Sequence, residues 1–167
     1  MSQQDHKSQA PARVACFVLT VSDTRTEATD ASGDAIAQLL TTAGHHVAGR
    51  ALVKDEPAEV LRVVSDQLDR GDVQAIITTG GTGLTSRDST YEAICGLLEK
   101  RLDGFGELFR MLSYHDIGPA AMMSRAVAGT ARGKIIAALP GSEGAVRLAM
   151  SKLIVPELGH LVQQVSR

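Results

Sequence analysis

From Arg13 the chain reads RVACFVLTV, apolar at nearly every position, and then turns polar in SDTRTEATDASGD. A run that is apolar without alternation is what a strand buried on both faces requires, so it predicts a first parallel strand ending in a loop. Ile36, Leu39 and Leu40 recur at helical spacing, and Gly44 supplies a stop before HHVAGRALV resumes a strand pattern. Pro57 suits the first turn of a second helix with Val60, Leu61, Val64 and Leu68 facing inward and Gly71 after its end. The third strand, VQAIITT, runs directly into GGTG.

Beyond that loop, Tyr91, Ile94, Cys95 and Leu98 mark another helical face. The stretch from Phe105 to Met123 is rich in Phe, Leu and Met, and Pro119 predicts its division into two short helices. GKIIAALPGS reads as a further buried strand ending in a turn. A last helix begins at Ala145 to Met150, is expected to be interrupted by Pro156, and continues through Leu158, Leu161, Val162 and Val165. Residues 1–10 are polar and aperiodic, which predicts a loose tail ahead of one domain spanning 11–167.

Strands alternating with helices predict an α/β fold, three-layer α/β/α with a mostly parallel central sheet. In such sheets ligands sit beyond the carboxyl ends of the strands, where SDT, GGTGLTSRD and PGS all fall. Composition narrows the chemistry. The 167 residues carry a formal charge of -2 and only 3% aromatic residues, so neither a phosphate-tracking basic surface nor base stacking is advertised, and nucleic acid is not an expected partner. No apolar run is long enough for a membrane span. Two cysteines without zinc or redox spacing, five histidines without a ligand pattern and no secretion signal suit a reducing cytoplasm.

The strongest local feature is TTGGTGLTSRD. Gly80, Gly81 and Gly83 clear side chains from a bend, so successive N–H groups can approach an anionic oxygen, and the following helix would aim its positive end the same way. Neither a Walker loop nor a dinucleotide fingerprint fits, because no lysine follows Gly83 and Ser86 stands where the last glycine belongs. Asp88 closes this loop, and Asp55 lies just past the second strand. Together they could hold magnesium. Read alone, each also suits a helix cap, Asp55 ahead of Glu56 and Pro57 and Asp88 ahead of Ser89 to Glu92. Ser22, Asp23, Thr24, Gly141 and Ser142 could receive a second phosphate or serve as ordinary turn residues. Arg87 and Arg125 are candidate phosphate partners or solvated charges.

Six blocks in order, VLTVSDTR, VKDEP, IITTGGTGLTSRDST, GFGELFRMLSYHDIG, SRAVAG and ALPGS, resemble the MoaB/Mog family of molybdenum cofactor biosynthesis proteins, over about residues 13–165. GELFRMLSYHDIG and SRAVAG look like its MoaB branch, while SRDST looks like the catalytically competent pattern. The resemblance implies a molybdopterin-binding α/β fold and the transfer of an adenylyl group from ATP to molybdopterin, with Mg2+ required and pyrophosphate released. The alternative within the same pathway is a non-catalytic molybdopterin carrier. Carried over by motif, Asp55 and Asp88 are the catalytic and metal-holding acids. Thr79, Gly80, Gly81, Thr82 and Gly83 match the nucleotide and pterin pocket, and Ser22, Asp23, Ser113, Gly141 and Ser142 match further binding positions. The resemblance also implies a homo-oligomer, trimer or hexamer, for which Phe105, Leu108, Phe109, Met111, Leu112, Met122 and Met123 are suitable interface material.

Overall fold

The structure is a computed structural model that describes residues 7–167. Its strands are β1 (Ala15–Val21), β2 (His46–Val53), β3 (Ala75–Thr79), β4 (Lys100–Arg101), β5 (Val127–Ala131) and β6 (Lys134–Leu139). The helices are α1 (Ala31–Thr42), α2 (Pro57–Leu68), α3 (Thr90–Leu97), α4 (Asp103–Ile117), α5 (Glu143–Ala149) and α6 (Val155–Val165). All six strands form one sheet in the order β2-β1-β3-β6-β5-β4. The first four in that order are parallel, and β5 and β4 run antiparallel to their neighbours.

The unalternating apolar runs are explained by what covers them. Cys16, Val18, Ala75, Ile77, Ile135 and Ala137 face one layer, made by α1, α4, α5 and α6. Phe17, Leu19, Ile76, Ile136 and Ala138 face the other, made by α2 and α3. Helices on both faces make the expected three layers. Burial of Cys16 pushes its thiol up to about 12, so it behaves as a small hydrophobe.

The α2 helix buries Val60, Val63, Val64 and Leu68. At about 1.5–3 kcal/mol for each fully buried aliphatic side chain, that stripe is what docks it. The expected face holds at Val60, Val64 and Leu68, but Leu61 is only half-buried and Val63 takes the fourth inward place.

Three further expectations are refined. VAGTA, which overlaps the end of the motif SRAVAG, is the strand β5, and it reaches β6 through the two-residue turn Arg132–Gly133. Both turn residues have positive φ, 48° and 73°, the geometry that matches the twist of a hairpin. The division before Pro119 falls at Gly118, φ +71°, and the second piece is a 3-10 helix, Gly118–Met123. Pro156 does not interrupt its helix. Met150–Ile154 form a π turn in which the Val155 amide donates to the Met150 carbonyl, five residues back, so the path runs on from α5 into α6 with the proline in the first turn.

Of the expected tail, residues 1–6 lie outside the described residues. Lys7 and Ser8 are helical, Lys7 pairs with Glu157, and Pro11 packs against Gly159, where a Cβ would sit 2.4 Å from the Pro11 carbonyl. Among the described residues no helix is long and apolar enough to cross a membrane.

Candidate functional site

Four parallel strands deliver their following loops to the same edge of the sheet, and strand order reverses between β1 and β3. A cavity of about 670 Å³ opens there. It is lined by Ser22, Asp23, Asp55, Gly80, Gly81, Thr82, Gly83, Arg87, Asp88, Ser113, Gly141 and Ser142; of the site residues expected from the sequence, Thr79 and Arg125 lie outside its lining. Thr79 is fully buried, and its hydroxyl donates to the Pro140 carbonyl at 2.8 Å, tying the glycine loop to the loop after β6.

Packing dictates the glycines. Gly80 has φ +96°, and a Cβ there would lie 2.0 Å from the Val21 carbonyl oxygen. At Gly81, φ +71°, a Cβ would lie 2.1 Å from Thr90 Oγ1 and 2.7 Å from Asp55 Oδ2. At Gly83 it would lie 2.6 Å from Asp88 Oδ2. The two carboxylates therefore press against loop residues two apart, which brings Asp55 and Asp88 to one stretch of backbone despite their separation in sequence.

Each carboxylate is anchored through one oxygen. Asp55, 6% exposed, accepts at Oδ1 from the Ser89 amide (3.2 Å), Ser89 Oγ (2.8 Å) and Thr90 Oγ1 (3.4 Å). Asp88 accepts at Oδ2 from the Thr85 amide (2.9 Å) and Thr85 Oγ1 (2.7 Å). Neither caps the helix that follows it: α2 has no side-chain cap, and Asp55 reaches across to the start of α3 instead. Asp55 Oδ2 and Asp88 Oδ1 have no hydrogen-bond donor among the described residues.

The positive end of α3 is not aimed into the cavity as the sequence suggested. The Thr90 and Tyr91 amides donate to the Gly81 carbonyl at 3.0 and 3.4 Å, and the Ser89 amide is taken by Asp55. What remains for an anion is the loop itself, since the amides of Gly81, Thr82 and Gly83 have no acceptor among the described residues.

Cations divide into committed and available. Arg87 donates to Asp23 (3.0 and 3.1 Å) and Glu56 (2.7 Å), and its guanidinium holds the Asp23 carboxyl below the usual range, helped by the Asp55 amide. Arg125 does not line the cavity; its partners are loop carbonyls and Glu92. Arg25, which sequence reading passed over in the charged cluster after SDT, does line it and forms no ion pair among the described residues. Its guanidinium donates to Ser32 Oγ at 2.9 Å, and Ser32 Oγ donates to the Gly141 carbonyl at 2.7 Å, so one chain of bonds joins the loops after β1 and β6. Ser22 Oγ accepts from the Thr24 and Arg25 amides at 3.3 and 3.0 Å, and Ser142 Oγ accepts from the Ala145 amide at 3.3 Å. The lining also includes the apolar Phe109, Ile117 and Met123 and the 5% exposed Ser113, all from the segment between β4 and β5.

Residues 17–160 match the family described as a probable molybdopterin binding domain. A relative from Bacillus subtilis (strain 168), Molybdenum cofactor biosynthesis protein B, is 51% identical over 168 residues, covering 100% of this chain and 99% of its own. This chain belongs to the MoaB/Mog family of molybdenum cofactor biosynthesis proteins, on its MoaB-like branch. Solved structures agree with that membership. A crystal structure of Molybdenum cofactor biosynthesis protein B superposes with a TM-score of 0.90 at 51% identity, covering 94% of this chain and 98% of that one. The tungsten cofactor synthesizing protein MoaB from Pyrococcus furiosus superposes at 0.84 with 36% identity, covering 95% and 100%. The three-layer fold is thus the MoaB/Mog fold.

Of the apolar residues expected at an interface, Phe109 is core, and Phe105 and Leu112 are half-buried. Leu108, Met111, Met122 and Met123 are exposed, and Tyr114 and Ile117 join them on the same segment.

Proposed function

We propose that the cavity binds molybdopterin and ATP side by side, and that the chain transfers the adenylyl group to give adenylylated molybdopterin and pyrophosphate. The observation that carries this reading is the pair Asp55 and Asp88, each with one carboxylate oxygen unpartnered among the described residues, beside loop amides that likewise have no acceptor there. Ser22, Arg25, Gly141 and Ser142 line the same cavity, which supports room for a second phosphate.

Among the described residues no three His, Cys, Asp or Glu side chains are grouped to hold a metal by themselves. That suits magnesium, which keeps several waters and takes one or two carboxylates plus substrate phosphates. Asp55 and Asp88 would hold it, and it would supply positive charge against the phosphates.

In the reaction an oxygen of the pterin's phosphate attacks the α-phosphorus of ATP. One P–O bond forms, the bond from the α-phosphorus to the oxygen bridging it to the β-phosphate breaks, and pyrophosphate leaves with the electron pair. No protein nucleophile is required, so the chain's part is positioning and charge stabilisation. The amides of Gly81, Thr82 and Gly83 fix the nucleotide's phosphates. Arg25, Ser22, Asp23, Gly141 and Ser142 surround the pterin's phosphate. Ser113 offers a hydroxyl to a ring edge, while Phe109, Ile117 and Met123 exclude water.

Incubation with ATP, Mg2+ and molybdopterin is expected to release pyrophosphate and form the adenylylated pterin. No product under conditions where an established adenylyltransferase turns over would overturn the reading, and pterin affinity without turnover would leave a carrier. Assembly as a homotrimer or hexamer is part of the proposal, through the exposed Leu108, Met111, Met122 and Met123. So is a place in the cytoplasm.

A further inference from the structure

We propose that Arg125 is a positioning residue that turns the amides of the glycine loop toward the anion by gripping the loop's carbonyls from behind. The inference rests on the anion-binding reading of the loop. Arg125 Nε donates to the Thr82 carbonyl at 2.9 Å, one terminal nitrogen donates to the Gly83 carbonyl at 2.5 Å, and the same nitrogen reaches the Asp88 carbonyl at 3.5 Å. The other terminal nitrogen pairs with Glu92, and the guanidinium lies 4.7 Å from the centre of the Tyr91 ring.

A trans peptide is planar, so its C=O and the next residue's N–H point in opposite directions, and this chain has no cis peptide among the described residues. Holding the Thr82 and Gly83 carbonyls toward α3 therefore sends the Gly83 and Leu84 amides the other way. The Gly81 carbonyl, held by the Thr90 and Tyr91 amides, does the same for the Thr82 amide. Thr82 and Gly83 line the cavity and Arg125 does not, so the arginine acts through the loop. Its charge is already opposed by Glu92, which makes geometry rather than field its contribution. A planar fork reaches two successive carbonyls while stacking on a ring, which an ammonium on a flexible stem does not reproduce.

The test uses the intact chain and inorganic pyrophosphate as probe, read by calorimetry and by backbone amide resonances. Arg125→Met is expected to bind about tenfold more weakly, as befits one or two oriented neutral donors lost. Arg125→Lys is expected to stay closer to Arg125→Met than to the parent chain. Without ligand, the amide resonances of residues 82–84 should shift in Arg125→Met while those of β1 and β3 stay in place. Unchanged affinity in Arg125→Met, or parental affinity in Arg125→Lys, overturns the proposal. Should the parent chain bind no pyrophosphate, the anion-binding reading fails on its own, and unshifted ligand-free resonances at 82–84 would then overturn the positioning role separately.

Discussion

The two ends of the sheet are built from similar parts and differ in what they leave unpaired. At the amino end, polar groups answer one another: the Val14 amide donates to His45 Nδ1 at 3.1 Å, the Ala15 amide to Gln74 Oε1 at 2.9 Å, and Lys134 to the carbonyls of Gln67 and Arg70. At the carboxyl end, loop amides, one oxygen on each of two carboxylates and the guanidinium of Arg25 face a cavity with capacity to spare. Both ends carry glycines at positive φ, so a turn glycine alone does not mark a site. The surroundings do: nothing lies within 4 Å of a Cβ built at Gly133, whereas one at Gly80 meets backbone at 2.0 Å.

The contrast can be broken most sharply at Gly80. Gly80→Ala combines a backbone clash with positive φ and should lower stability by more than about 3 kcal/mol in urea denaturation, or prevent folding. A loss below about 1 kcal/mol would mean that the loop relocates freely and that its shape is not enforced. Next in size, Asp55→Asn keeps the side chain's outline and should lower pyrophosphate formation on the order of 100-fold while leaving the urea midpoint nearly in place. Parallel losses in turnover and stability would make Asp55 a structural tie like those at the amino end.

Smaller effects are expected at that amino end. Gly133→Ala has open space and only the positive φ to oppose it, so about 1–2 kcal/mol of stability should go with no change in turnover of the folded fraction. The smallest effect concerns pH. Burial holds the His45 imidazole below its ordinary value, so the unfolded chain binds its proton more readily. That contribution is present above the unfolded pKa of about 6.5 and is lost as pH falls through the lower folded value. Urea midpoints should decline gently below about pH 6.5, and His45→Gln should flatten that slope. An unchanged slope would assign the decline to another group.

Much of this layout was legible because burial on two faces writes itself as apolar runs. β1, β3 and β6 and the loops that follow them were readable from RVACFVLTV, VQAIITT and GKIIAALPGS. β5 escaped notice because Val127–Ala131 is short and mostly small residues, and its identity as a strand comes from pairing with β6. The site was legible by position and not by partnership. Asp55 ties to Ser89 across 34 positions and Arg125 to Thr82 across 43, and no local spacing encodes such a meeting. For the same reason Asp55 could be read as a cap for its own helix, and Arg125 as a phosphate partner or a solvated charge, when it bonds to the loop's carbonyls.

The deep burial of Cys16 leaves Cys95, half-buried on the helix whose first turn anchors the glycine loop, as the more accessible of the two thiols. A thiol-directed dye would therefore report first from Cys95, on the same helix as the residues that hold Asp55 and the Gly81 carbonyl.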